Sequence, residues 1–277
     1  MGEIANPAMP GLPASPYLVS AEGEPLVIPA FGGLVYNVRV GDRATGWAAE
    51  LIQPGVSIKN RDATANTALS VYACLGNQAR VVNGRATGAV GTVIGKSGRF
   101  ADHIICDFDP EQMELMAPGD RVQVQAYGVG LKLSDFPGVE FKSCSPTLLE
   151  ALSPDVSSSG KLVVPVKGVA PSVLAGAGAG LGSEGGALNL QTSDPQLLAA
   201  NGLDDLRFGD LVAVTDWDSR FGHGYLRGAI VVGVVCQGGS FRSGYGPGIA
   251  VILTSKSGMI EPVVTARANI ADLLELR

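Results

Sequence analysis

Two loops carry the residue types that small-molecule chemistry needs. In the first, Gly244-Tyr245-Gly246-Pro247-Gly248 follows Ser240 and Ser243. Closely spaced glycines bring backbone amides near a ligand, and converging amides hold an oxyanion or a carboxylate. Tyr245 can donate a hydrogen bond or a proton, and the two serines supply hydroxyls. A tight connection between two buried strands needs the same glycines. The spacing matches neither a phosphate-binding loop nor a dinucleotide fingerprint.

The second loop is Gly95-Lys96-Ser97-Gly98-Arg99, after an apolar run. Lys96 and Arg99 can clamp an anion, and a desolvated Lys96 can act as a base. A solvated hairpin tip is the plainer account. His103 enters another apolar run beside Asp102, where an imidazole is either a satisfied core group or a proton carrier. Asn60, Asp62 and Asn66 end one strand and open a helix. There, uncapped amides and short polar side chains suit a small anion or an amide, although capping alone explains Asp62. Asp216, Asp218 and His223 share a loop and form the one candidate set for a divalent ion; a polar surface turn is the ordinary alternative. No serine sits in a nucleophile-elbow phrase, so a Ser/His/Asp triad has no basis. The four cysteines, at 74, 106, 144 and 236, form no CxxC pair. They read as buried thiols rather than zinc ligands, and nothing near Cys236 in sequence lowers its pKa.

The elements that must position these groups are mostly short strands. Runs at Leu34–Val40, Val56–Lys59, Ala79–Val82, Ala89–Ile94, His103–Phe108 and Arg121–Ala126 predict a dense β region. Asn83-Gly84 signals a hairpin. Asp62–Leu75 predicts a helix capped by Asp62 or Thr64, and Ser145-Pro146 starts another through Leu152. A short acidic helix is expected around Pro110–Met116. Polar Ser153–Gly160 marks a boundary. Beyond it lie extended runs at Leu162–Val166, Leu188–Gln191, Leu211–Thr215, Ala229–Val235 and Ile249–Leu253, with helices at Pro195–Ala200 and Ile270–Leu276. The phrase Pro118-Gly119-Asp120-Arg121-Val122 recurs as Phe208-Gly209-Asp210-Leu211-Val212, which convergence on one turn or a duplication explains equally.

Composition bounds the partners. Of 277 residues, 46% are hydrophobic and 17% charged, enough for a large core. Net charge is −6 with no basic run, a poor match for nucleic acid or an anionic membrane. The longest strongly apolar run, Ala229–Cys236, is too short to cross a bilayer, and the opening residues lack the pattern of a secretory leader. A cytoplasmic, soluble protein is expected, with its proline-rich start laid over the body or over a neighbouring subunit.

Five phrases carry a further signal: IQPGVSIKN (Ile52–Asn60), YACLGN (Tyr72–Asn77), GLKLSDFP (Gly130–Pro137), LRFGDLVAV (Leu206–Val214) and GYGPGIAVILT (Gly244–Thr254). In this order, and closing on ANIADLLEL, they resemble a bacterial and archaeal family known as domain of unknown function 4438. The resemblance implies a shared fold over nearly the whole chain and carries no assigned reaction. It also implies histidines in the segments matching Gly95–Gly98, Val235–Gln237 and Gly244–Pro247. Here Ser97, Cys236 and Tyr245 stand at or near those places, so a metal site or proton relay built on those histidines is lost or altered.

The expected fold is α+β and strand-dominated, with two barrel-like β units and short helices packed around a cleft. Residues 1–33 form an arm, 34–153 the first unit and 161–277 the second. The expected function is acid/base chemistry on a small polar metabolite (hydrolysis, elimination or cyclisation), in the manner of a hydrolase, lyase or cyclase. Tyr245, Lys96 and His103 would be catalytic. Gly244, Gly246, Gly248, Ser240, Ser243, Arg99, Asn60 and Asn66 would bind substrate. No cofactor is implied, with a divalent ion at Asp216, Asp218 and His223 as the exception. The alternative is a non-catalytic small-molecule-binding or assembly protein; a homo-oligomer is expected in either case.

Overall fold

The computed structural model describes residues 1–6, 18–19, 23–26, 32–98, 102–176, 178, 182, 187–192, 194–240 and 244–276. The first half contributes β1 (Gly2–Ile4), β2 (Leu18–Val19), β3 (Pro25–Leu26), β4 (Leu34–Val35), β5 (Gly55–Lys59), β6 (Gln78–Val81), β7 (Val90–Lys96), β8 (Ile104–Asp107) and β9 (Arg121–Val124). Its helices are α1 (Ala63–Tyr72) and α2 (Pro110–Met113). Strand β1 pairs with β9 on one side and β5 on the other. This closes a six-stranded antiparallel barrel in the order β1-β9-β6-β7-β8-β5, so those six strands form a ring with no open edge. Val56, Ile58, Val93, Ile104, Cys106 and Phe108 fill it, and α1 adds Leu69 to the same core.

The second half contributes β10 (Glu140–Phe141), β11 (Asp155–Val156), β12 (Leu162–Val166), β13 (Gly168–Ala170), β14 (Ala187–Asn189), β15 (Leu211–Asp218), β16 (Gly224–Gln237), β17 (Gly248–Ser255) and β18 (Ile260–Val264). Helices α3 (Pro146–Leu152), α4 (Pro195–Ala200) and α5 (Ile270–Leu273) accompany them. One sheet runs β10-β17-β16-β15-β13, with β14 also on β17, and β11-β12-β18 makes a smaller sheet. Strands β15–β17 are covered on both faces, and alternation assigns the faces. Leu211 and Ala213 join a core with β12, while Val212 and Val214 join one with Phe208 and Leu198. The first of these cores also takes Ile94 and Ile105 from the barrel's outer surface, so the two units share apolar packing. None of the described helices is long and apolar enough to cross a membrane.

Local chemistry explains most element ends. Asp62 caps α1 by accepting from Ala65 N at 2.7 Å, and Ser145 caps α3 by accepting from Leu148 N at 3.1 Å. The recurring Gly-Asp phrase is one turn built three times. Asp42, Asp120 and Asp210 each accept, through Oδ2, the amide three residues back, and the preceding Gly41, Gly119 and Gly209 have φ of 96°, 93° and 92°. The turn demands glycine and rewards aspartate, which accounts for the repeat without a duplication.

Three expectations change. The run Leu34–Val40 is a strand only at Leu34–Val35, because its partner β5 begins at Gly55 and the preceding Pro54 has no amide to extend the ladder. Asn83-Gly84 opens a loop longer than two residues; Asn83 Oδ1 accepts the Arg121 amide instead of closing a tight hairpin. Strand β18, interrupted by Pro262, did not read as a strand; it runs parallel to β12. The proline-rich stretch 7–17 lies outside the described residues.

Candidate functional site

The hairpin β7–β8 decides where two of the expected catalytic residues point. Its ladder slips between Val93 and Gly95, so Ile94 is an extra residue in β7. Val93 opposes Cys106 with both inside the barrel; Ile94 and Ile105 then face the second unit. The bulge returns Lys96 to the inner face, opposite Ile104. His103, two residues before Ile105, falls on the outer face by the strand's alternation. Lys96 and His103 are neighbours in the hairpin whose side chains leave on opposite sides.

Lys96 is 1% exposed, and its Nζ donates to the carbonyl of Ser70 in the last turn of α1. That turn has no basic residue of its own. The ammonium therefore meets the negative end of the helix, a favourable charge–dipole contact made from another element. It also offsets part of the upward push that burial gives the Cys74 thiol.

On the other face, His103 Nδ1 lies 2.9 Å from Oε1 of Gln53, which also accepts from Ser57 Oγ at 2.6 Å. Gln53 is 0% exposed and His103 4%. The His103 amide donates to Ser97 Oγ at 3.0 Å. A Cβ at Gly32 would stand 2.6 Å from the imidazole, so glycine is required where the chain crosses the ring. Burial, then the nearby Lys59 charge, lowers the His103 pKa to about 4, and the ring is neutral at physiological pH. Nε2 of Gln53 is buried with no hydrogen-bond partner. Exchanging the amide's ends would only move the deficit to its oxygen, so one end of this buried amide has no protein partner among the described residues in either orientation.

Gln53 belongs to a segment that bonds to the end of β16. Leu51 N donates to Gly239 O at 3.0 Å, and Gly238 N to Ile52 O at 2.8 Å. Glu50, 1% exposed, accepts the hydroxyl of Ser240 at Oε1. Ser240 in turn lines a cavity of about 510 Å³ between residues 45–49 of the first unit and 192–204 of the second. Its walls include Trp47, Ala49, Pro195, Leu198 and Leu203, with Asp204 and Ser240 as polar groups. It is in the size range of small-molecule sites, but of the residues expected to be catalytic, Tyr245, Lys96 and His103, none lines it.

The remaining expected residues divide. Gly246 and Gly248 are glycines for packing: a Cβ would fall 1.9 Å from Leu190 O at the first and 2.7 Å from Gln237 Oε1 at the second. Packing thus accounts for both without an anion. Gly244 has φ 78°, and Tyr245 is half-buried outside the described cavity lining. Asn66 Oδ1 accepts from Asn60 N at 2.8 Å and its Nδ2 donates to Asp102 O at 3.0 Å, tying α1 to β5 and β8. Asp218 pairs with Arg220 at 3.0 Å, Asp216 accepts from Gly228 N, and His223 Nδ1 meets Ser219 Oγ at 2.8 Å. No group of three or more His, Cys, Asp or Glu side chains among the described residues is arranged to hold a metal. Arg99 and Ser243 lie outside the described residues. Cys236 packs its Cβ against Gly95 and donates from Sγ to Lys96 O at 3.1 Å. Its thiol, buried against the hairpin, is pushed up to about 12.

Glu50, Gln53 and Trp47 were not singled out from the sequence. A signal was present for Glu50, the one charge in the stretch Trp47–Gln53. A lone carboxylate among apolar residues is either turned outward or buried for a purpose.

Two family models match in sequence: Domain of unknown function (DUF4438), N-terminal, over residues 17–150, and Domain of unknown function (DUF4438), C-terminal, over 153–274. Among solved structures the chain is similar to the crystal structure of TM1086, at 38% identity and a TM-score of 0.90, covering 98% of this chain and 93% of that one. No curated protein matches the chain in sequence.

Proposed function

The chain belongs to the DUF4438 family, and from that premise we propose that it is an enzyme transferring protons on a small polar metabolite. In this reading Glu50 takes a proton from the substrate. His103, whose Nδ1–H donates to Gln53 Oε1, turns the lone pair of Nε2 to the substrate and accepts a hydrogen bond there, and Ser240 orients the carboxylate. A neutral imidazole protonated at Nδ1 accepts at Nε2 without carrying charge, which orients a hydroxyl or a water for hydrolysis, elimination or cyclisation. Lys96 and the Gly244–Gly248 loop support the scaffold.

One arrangement carries the reading: Glu50, Gln53 and His103 are all but fully buried, and one end of the Gln53 amide is unsatisfied. Buried groups of this kind cost stability unless they are partnered or used. The four buried thiols fit a reducing compartment, so the cytoplasm is the proposed location.

The test incubates purified protein with a metabolite extract and follows changes by mass spectrometry, beside the Glu50→Gln and His103→Gln variants. A compound consumed by the wild type, with each variant slowed by about 100-fold or more, is the expected result. No conversion, or conversion unaffected by either substitution, removes the assignment. The rival reading, a binding protein without turnover, draws on the mainly apolar cavity walls and the structural use of Lys96. Saturable binding without product would favour it.

A further inference from the structure

The chemistry of the cavity's walls selects a charge type. Trp47 lines the cavity and is half-buried, and its indole N–H donates to Arg43 O at 2.6 Å, which holds the ring in place. Asp204 and Asp205 are adjacent on the loop after α4, and they differ. Asp205 pairs with Lys167 at 3.0 Å, whereas Asp204 lines the cavity and meets no cation among the described residues. Behind the wall, Glu50 supplies a second carboxylate through Ser240. None of the described lining residues is Lys, Arg or His.

From this we propose that the cavity binds a small organic cation, an ammonium group on an apolar body. The ammonium sits between the Trp47 ring and the Asp204 carboxylate, and the body lies along Leu198, Leu203 and Ala49. An aromatic face attracts a cation through its quadrupole, and the contact strengthens where water is excluded. A carboxylate nearby adds a charge-assisted hydrogen bond. An anionic ligand would face the Asp204 carboxylate, with Glu50 behind Ser240, and no compensating donor of full charge. A neutral one would gain only the apolar contact. The inference rests on the functional reading above, to which it adds this cavity as the substrate's way to Glu50, but binding alone tests it.

Isothermal titration of the full chain with 2-phenylethylammonium, 2-phenylethanol and 3-phenylpropanoate compares cation, neutral and anion on similar bodies. The ammonium is expected to bind with a Kd in the range of about 1 mM, and the other two at least about tenfold more weakly. Asp204→Asn should abolish the preference for the ammonium while leaving the alcohol unchanged. Trp47→Ala should weaken the ammonium most, with Trp47→Phe retaining part of the binding if the alanine variant fails to fold. Equal or tighter binding of the alcohol or carboxylate, or no ammonium binding up to about 10 mM, overturns the proposal. Should the ammonium fail while an extract compound is still converted in a Glu50-dependent manner, the cation assignment falls and the enzyme reading stands. Should the ammonium bind with no conversion of any compound, the opposite holds.

Discussion

Oε1 of Gln53 stands 2.9 Å from Nδ1 of His103, and neither side chain reaches solvent to any useful extent. The pair links the segment before β5 to the start of β8, and it fixes the imidazole ring in one orientation.

The first consequence is a pH dependence. The folded pKa of His103, about 4, lies below the ordinary value of 6.5, so the unfolded chain binds the proton first as pH falls. Stability is therefore complete above pH 6.5, declines as pH drops through the window, and is fully lost for this group below about 4. The difference corresponds to roughly 3 kcal/mol at most. Unfolding free energies from urea titrations between pH 7 and pH 4 should fall more steeply for wild type than for His103→Gln. Equal slopes would mean that folding leaves the pKa of this imidazole unchanged.

Lys96→Ala should cost about 3 kcal/mol, combining a lost charge-assisted bond to the end of α1 with an emptied volume in the barrel. The denaturant midpoint measures it, and hydrogen exchange over Leu69–Tyr72 should rise. An unchanged midpoint would show that the ammonium's burial cost cancels its bond to Ser70.

Gly95→Ala should destabilise by about 1–3 kcal/mol, since the new methyl falls 2.2 Å from the Cys236 Cβ across the packing of β7 on β16. Adding Cys236→Gly removes the obstacle. The double variant should then be more stable than the sum of the single costs by about 1 kcal/mol. Strict additivity would place the strain elsewhere.

All four thiols are buried, and burial raises the pKa of each. A thiol reagent at pH 8 should leave the folded protein unmodified and titrate four equivalents in guanidinium. Rapid labelling of one thiol in the native state would reveal an opening that exposes its core.

The caps at Asp62 and Ser145 were legible in the sequence because each depends on a side chain reaching an amide three residues away. The Gly-Asp turns were legible for the same reason, and the alternation of apolar and polar residues in β9 told which of them share a face. The cleft between two β units was also expected, and the family resemblance spanned both. The facing of Lys96 was not legible. It follows from a bulge at Ile94, and a bulge is a slip between two strands that no run of residues within one strand announces.

The chain's order of residues, by its short-range chemistry, determined the strand-rich α+β character, most element ends and the glycine-bearing turns. Tertiary structure alone decided which polar groups are buried together. Glu50 meets Ser240 and Gln53 meets His103 across separations of 190 and 50 residues. The first contact is selected by how the two units pack, and the second by how the segment before β5 meets the start of β8. Both energies depend on the water excluded. Close packing also explains the glycines at 246 and 248, which the sequence offered as an anion loop: the first lies against the Leu190 backbone and the second against the Gln237 side chain.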